Sequence, residues 1–149
     1  MKRVFLSFVC LALFVFSSSA SAAPTRQQVE SLLGGYEFVP TAAQIRALGP
    51  GTDAVLIAIA NDTQVSAIRR IRALGALAYV PSAAGEAACR AVLALGPDTV
   101  GIDAYRVGAA ANSLGIIGAA LHRDVHTELA PFLQGHSPMV RIGAARGLA

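Results

Sequence analysis

The sequence predicts an all-α protein, a short α-solenoid of about three helix pairs behind an N-terminal helical cap. Three observations predict it. Apolar residues recur at three- and four-residue spacing, with no strand-like alternation beyond one short link. Helix starts and stops are marked by capping residues, glycine and proline. A short pattern also returns at a fixed interval: Arg70-Ile71-Arg72-Ala73-Leu74, then Arg106-Val107-Gly108-Ala109-Ala110, then Arg141-Ile142-Gly143-Ala144-Ala145. The interval of about 35 residues holds two helices. One such pair cannot bury its apolar flank alone, so pairs must stack.

The chain opens with a leader, residues 1–22. Met1-Lys2-Arg3 is basic, Val4 to Phe16 is mostly apolar, and small residues follow up to Ala20-Ser21-Ala22. This is the order of a secretory signal peptide, with cleavage expected after Ala22. Val4 to Phe16 as a helix would span only about 20 Å, against about 30 Å for a bilayer core. A membrane anchor is therefore not expected after cleavage. Cys10 sits inside the apolar run behind Phe8-Val9, which does not suit lipid attachment. Trimming leaves about 127 residues, enough for one domain with a sizeable core. It also removes Lys2 and Arg3, leaving ten arginines, no lysine and nine acidic residues. A net charge of about +1 predicts no strong attraction to nucleic acid. Cys89 then remains alone among Ala87, Ala88 and Val92, as expected for a buried, inert thiol. The chain is expected in the bacterial periplasm or outside the cell.

Residues 23–40 form the N-terminal helix and linker. Thr25 and Gln28 make a capping box ahead of Val29, Leu32 and Leu33, and Gly34-Gly35 stops that helix. Tyr36 to Val39 reads as an extended link, because Pro40 disfavours helix at Val39. Residues 41–149 form the repeat domain. Thr41 and Gln44 make a second capping box for a short helix carrying Ile45 and Leu48. Thr52 or Asp53 should cap a third helix through Val55, Leu56 and Ile59. A fourth should run from about Gln64 to Leu77, with Val65, Ile68, Ile71 and Leu74 inward and Arg69, Arg70 and Arg72 largely on the solvated side. A fifth spans about Ala83 to Leu95. Asp98 or Thr99 should cap the sixth and longest, whose stripe is Val100, Ala104, Val107, Ala111 and Leu114. Residues Gly115 to Ala120 read as extra chain before the next helix. The seventh should begin near Asp124, and Ser137 with Pro138 at the first helical position opens the last.

Leu129 to Leu148 resembles a HEAT-like repeat: a proline in the first helix, a polar turn ending in proline, then Val140-Arg141, two alanines and a leucine. Residues Asn61 to Gly75 and Asp98 to Ala110 resemble it more loosely. The resemblance implies a fold and says little about activity. Metal-dependent hydroxylases with such repeats carry paired His-Glu motifs, and this chain has none. The chemistry of bilin lyases with related repeats maps onto no residue here.

Candidate chemistry is sparse. His122 and His126 bracket Asp124, a spacing metal sites can use. Asp124 reads instead as a helix cap, which leaves His122 off the shared face, and His136 lies in a distant turn. No metal, cofactor or catalytic residue is expected. Gly101, Gly108 and Gly115 repeat every seven residues on one helix stripe. Each costs about 1 kcal/mol against alanine, so a neighbouring helix should approach closely there.

Stacked helix pairs supply an extended surface without dedicated catalytic geometry. The expected job is protein–protein interaction, as scaffold, adaptor or assembly factor. Arg69, Arg70 and Arg72 are candidates for meeting an acidic partner. Met139, Ile142 and Leu148 form the apolar flank of a last helix that no polar capping helix follows. A second copy could pair there, giving a homodimer through the C-terminal helix. A groove rim should include the turns near Asn61–Gln64, Pro97–Thr99 and Gly135–Pro138. The alternative is a small-ligand binder or lyase-like enzyme, with an apolar cleft rimmed by Arg and His.

Overall fold

The computed structural model describes residues 22–35 and 39–149. Nearly all of the expected leader (1–21) and part of the expected Tyr36–Val39 link lie outside these residues. The described chain is helical, with no strand. Its helices are α1 (Arg26–Leu33), α2 (Ala42–Arg46), α3 (Thr52–Asn61), α4 (Ala67–Ala76), α5 (Ala83–Leu93), α6 (Gly101–Ala120), α7 (His126–Leu129) and α8 (Pro138–Gly147). Short 3-10 turns at Leu77–Tyr79 and Ala130–Gln134 extend α4 and α7.

Several starts follow from the sequence. Thr25 and Thr41 each accept from the amide three residues on and are met by Gln28 and Gln44, so both capping boxes form. Ser137 accepts from the Met139 amide, with Pro138 opening α8. Other starts differ. The residue before α3 is Gly51, at φ 80°, a left-handed conformation that favours glycine. Thr52 is buried and its hydroxyl donates to the Gly49 carbonyl at 2.6 Å. Thr99 likewise turns its hydroxyl back onto the Leu95 and Gly96 carbonyls, closing α5 rather than capping α6. A Ser, Thr or Asp at a helix boundary can serve either end, and here the preceding turn takes it.

Three pairs of chain neighbours pack on each other: α3 on α4, α5 on α6, and the α7 segment on α8. The second members also meet side by side, α4 against α6 and α6 against α8. Among the first members, α3 meets α5, while α1 lies over α3 and α4. The core runs through Val29, Leu33, Leu56, Ile59, Leu74, Leu77, Cys89, Val107, Leu114, Ile117, Leu129 and Val140. Fully burying one such side chain contributes roughly 1.5–3 kcal/mol.

Helix α6 is the central member and corrects the expectation of extra chain at Gly115–Ala120, because it continues unbroken to Ala120. Its glycines explain how. A Cβ on Gly108 would lie 2.4 Å from the Met139 carbonyl oxygen, and one on Gly115 only 1.9 Å from that of Gly147. From the other side, a Cβ on Gly143 would lie 2.1 Å from the Gly108 carbonyl oxygen. The main chains of α6 and α8 therefore touch, and residue numbers rise together along the contact, so the two helices run parallel. Gly108 and Gly143 occupy the same place in the recurring pattern and meet each other. Gly101 does not join them: it opens α6 at φ 63° with open space beside it.

Candidate functional site

The expected inward stripe of α4 divides. Leu74 is buried, but Ile68 is exposed and Ile71 half-exposed. Steps of three residues turn about 60° backward each time, so Ile68 and Leu74 point to different sides. The same twist breaks up the arginine row. Arg69 is exposed, resting its guanidinium against Gly34. Arg70 is half-buried, with its Nε enclosed and unpaired. Arg72 reaches back to α1, donating from Nη1 to the Leu33 carbonyl at 2.8 Å and also to that of Gly35. These are carbonyls that the end of α1 leaves unsatisfied, so Arg72 fixes α1 onto α4.

Ile71 and Gly75 of α4 face Met139, Ile142 and Arg146 of α8 across an open groove of about 270 Å³. Its floor is α6, with Tyr105, Ala109 and Asn112. Tyr105 is 51% exposed, Ile142 43% and Ile68 59%. Ile102 and Ile116 continue the floor outward in both directions, so Ile102, Tyr105, Ala109, Asn112 and Ile116 form one stripe at steps of three and four. The opposite side of α6 carries the buried Val107, Leu114 and Ile117. A helix apolar on both sides has more than a core to cover.

Met139 and Ile142 thus share this groove, while Leu148 packs partly buried against the core. Arg69 and Arg72 line a separate depression of about 640 Å³ with Leu33, Gly34, Gly35 and Ile68. The expected rim is corrected: the helix flanks line the groove, and the turns do not. Two turns stack on each other instead, since a Cβ on Gly135 would lie 2.4 Å from the Pro97 carbonyl oxygen. His136 Nδ1 and Asp98 Oδ1 stand 3.1 Å apart beside them.

Two polar joints were not foreseen. Ser113 is fully buried in α6, and its hydroxyl donates to the Leu74 carbonyl at 2.8 Å, tying α6 to α4. Glu86, on α5, is also buried. Its carboxylate oxygens lie 2.8 Å from Arg90 Nη1 and from Arg123 Nη1, as ion pairs without aligned hydrogen bonds. Arg90 also grips Glu128 with two bonds of 2.8 and 2.9 Å. That grip raises the Arg90 pKa further and holds the Glu128 carboxyl below its ordinary range. Only Glu86 and Arg90, four apart on one helix, left a sequence signal.

Cys89, one residue before Arg90, is buried and free. Burial first, and Glu86 second, push its thiol up to about 12. It is therefore a poor nucleophile at neutral pH. Among the described residues, no group of three or more His, Cys, Asp or Glu side chains is placed to hold a metal ion. Asp124 Oδ1 accepts from the His126 amide at 2.9 Å and His122 sits at φ 55° in the turn before it, so the two histidines do not share a helix face. No described helix is long and apolar enough to cross a membrane. No protein-family profile, curated protein or solved structure matches the chain.

Proposed function

We propose that the chain is an exported protein–protein interaction module, a scaffold, adaptor or assembly factor built as a short HEAT-like solenoid. One observation carries the functional part: the apolar stripe of α6 that lies open between α4 and α8. A monomer that leaves aligned isoleucines and a tyrosine in water has a reason to do so when that surface meets a partner. The repeat reading is supported by the parallel, in-phase contact of α6 and α8 at Gly108 and Gly143 and by the stacked turns at Pro97 and Gly135. Export is supported by the basic, apolar and small-residue order of residues 1–22.

A small-ligand or lyase-like role has less support. The groove over α6 is smaller than the roughly 300 Å³ at which ligand pockets begin, while the depression at Arg69 and Arg72, about 640 Å³, is where such a ligand would have to sit. Burial pushes the Cys89 thiol up to about 12, which disfavours thiolate chemistry there. Crosslinking the chain in its native cells tests the interaction reading: crosslinks to a defined protein are expected, and a chain that holds only a small molecule overturns it. Sequencing the N-terminus of the same material tests export. A start at Ala23 is expected, and an intact Met1 in a cytosolic fraction overturns that half.

A further inference from the structure

We infer that the groove over α6 receives an acidic amphipathic helix of the partner, laid between α4 and α8. The inference rests on the interaction reading above and names what that surface takes.

The shape of the groove argues for a helix. The open stripe from Ile102 to Ile116 covers fourteen steps of α6, about 21 Å or four helical turns. Two helices wall it, so a third can lie along it as ridges into grooves. Its middle is built from small residues, Gly75 and Ala109, between the larger Ile71, Tyr105 and Ile142. Nothing within 4 Å occupies the space beside Gly75. That leaves a depression for one bulky apolar side chain of the visitor, the anchor a helix-in-groove contact needs.

Charge argues for acidity and against self-pairing. Arg146 stands at the α8 wall and is exposed. Among the described residues, no carboxylate lines the groove or the neighbouring depression. A second copy placed face to face would bring another Arg146 and no groove carboxylate to meet the first. A visiting helix with Glu or Asp flanking its apolar stripe would meet that cation instead, which raises association rate and fixes orientation. Asn112, half-buried in the floor, offers both a donor and an acceptor to one polar side chain within the apolar stripe.

The test uses the full chain and two labelled 18-residue helical peptides that share one leucine stripe. One has glutamates beside the stripe, the other lysines. Fluorescence anisotropy should show the glutamate peptide binding at least ten-fold more tightly than the lysine peptide. Tyr105→Ala with Ile142→Ala should weaken it ten-fold or more, and Arg146→Glu should invert the preference. Ala87→Glu, on the exposed side of α5, should change nothing. Circular dichroism confirms that each variant is folded. Equal binding of both peptides, or no binding of either, overturns the inference, as does a dimer in sedimentation that Tyr105→Glu dissolves. A photocrosslinker at position 105 separates this failure from failure of the interaction reading. A native partner that crosslinks elsewhere on the chain, with position 105 silent, sinks the groove assignment and leaves the module intact.

Discussion

Helix α6 is joined to its neighbours in two ways. Toward α8 the two main chains touch, through Gly108, Gly115, Gly143 and Gly147. On its other side it packs against α5 and α4 through side chains, with Val107, Leu114 and Ile117 in the core. The first joint has no room for an added methyl group. The second has no room for a lost one. A protein interior near crystal density is sensitive in both directions, and here the two sensitivities fall on opposite flanks of one helix.

The largest expected effect breaks the first joint. Gly108→Leu or Gly115→Leu must push α8 off α6, since even a Cβ would overlap a carbonyl. Overpacking costs about 1–3 kcal/mol and occasionally more, and a main-chain clash belongs at the top of that range. A thermal melt should fall by about 10 °C or more. Gly75→Ala provides the contrast, because its Cβ meets nothing. It should gain up to about 1 kcal/mol from helix propensity. A Gly115→Leu melt unchanged from the parent would remove the close-contact argument. The second joint is tested by Leu114→Ala, at a fully buried position. A loss of about 2–5 kcal/mol is expected in urea unfolding.

This contrast shows what sequence can carry. The seven-residue glycine spacing gave away the close approach at Gly108 and Gly115, because repeated glycine in a helix needs a packing reason. The same reasoning stopped α6 too early. Gly115 to Ala120 read as extra chain after the helix, but at Gly115 the contact with α8 outweighs glycine's low propensity and α6 continues. Ile68 was assigned inward because it lies on a three-residue series, which drifts around the helix where a true stripe alternates three and four. The site suffered most from that. Met139 and Ile142 were legible as an apolar flank, but Tyr105 and Ile71 were not, since the groove exists only once α4, α6 and α8 lie side by side. Arg72 resembled a solvated charge until α1 came to rest on α4.

A smaller effect sharpens the side of α6 facing α4. Ser113→Ala removes the bond to the Leu74 carbonyl but leaves that oxygen its bond from the Leu77 amide. One net hydrogen bond is worth about 0.5–1.5 kcal/mol, so the urea midpoint should fall modestly. A loss as large as that of Leu114→Ala would mean that this bond, and not side-chain packing, holds α6 to α4.

The smallest effect concerns a third kind of joint, where the Arg90–Glu128 ion pair links α5 to α7. The Glu128 carboxyl, held by Arg90, ionises in the folded chain below its ordinary value near 4.5. The unfolded chain therefore takes up a proton first as pH falls. The pair's stabilisation is complete above about pH 4.5 and disappears as pH drops through the lowered folded value. Both side chains are more than a third exposed, so solvent screening limits the contribution to roughly 0.5 kcal/mol. Glu128→Gln should thus cost about that much in urea unfolding at pH 7 and progressively less as pH falls below about 4.5, with the gap narrowing in 1 M salt. A gap that does not narrow at all as pH falls below about 4.5 would show that Glu128 acts by packing, and the α5–α7 joint would then belong with the side-chain contacts of α6.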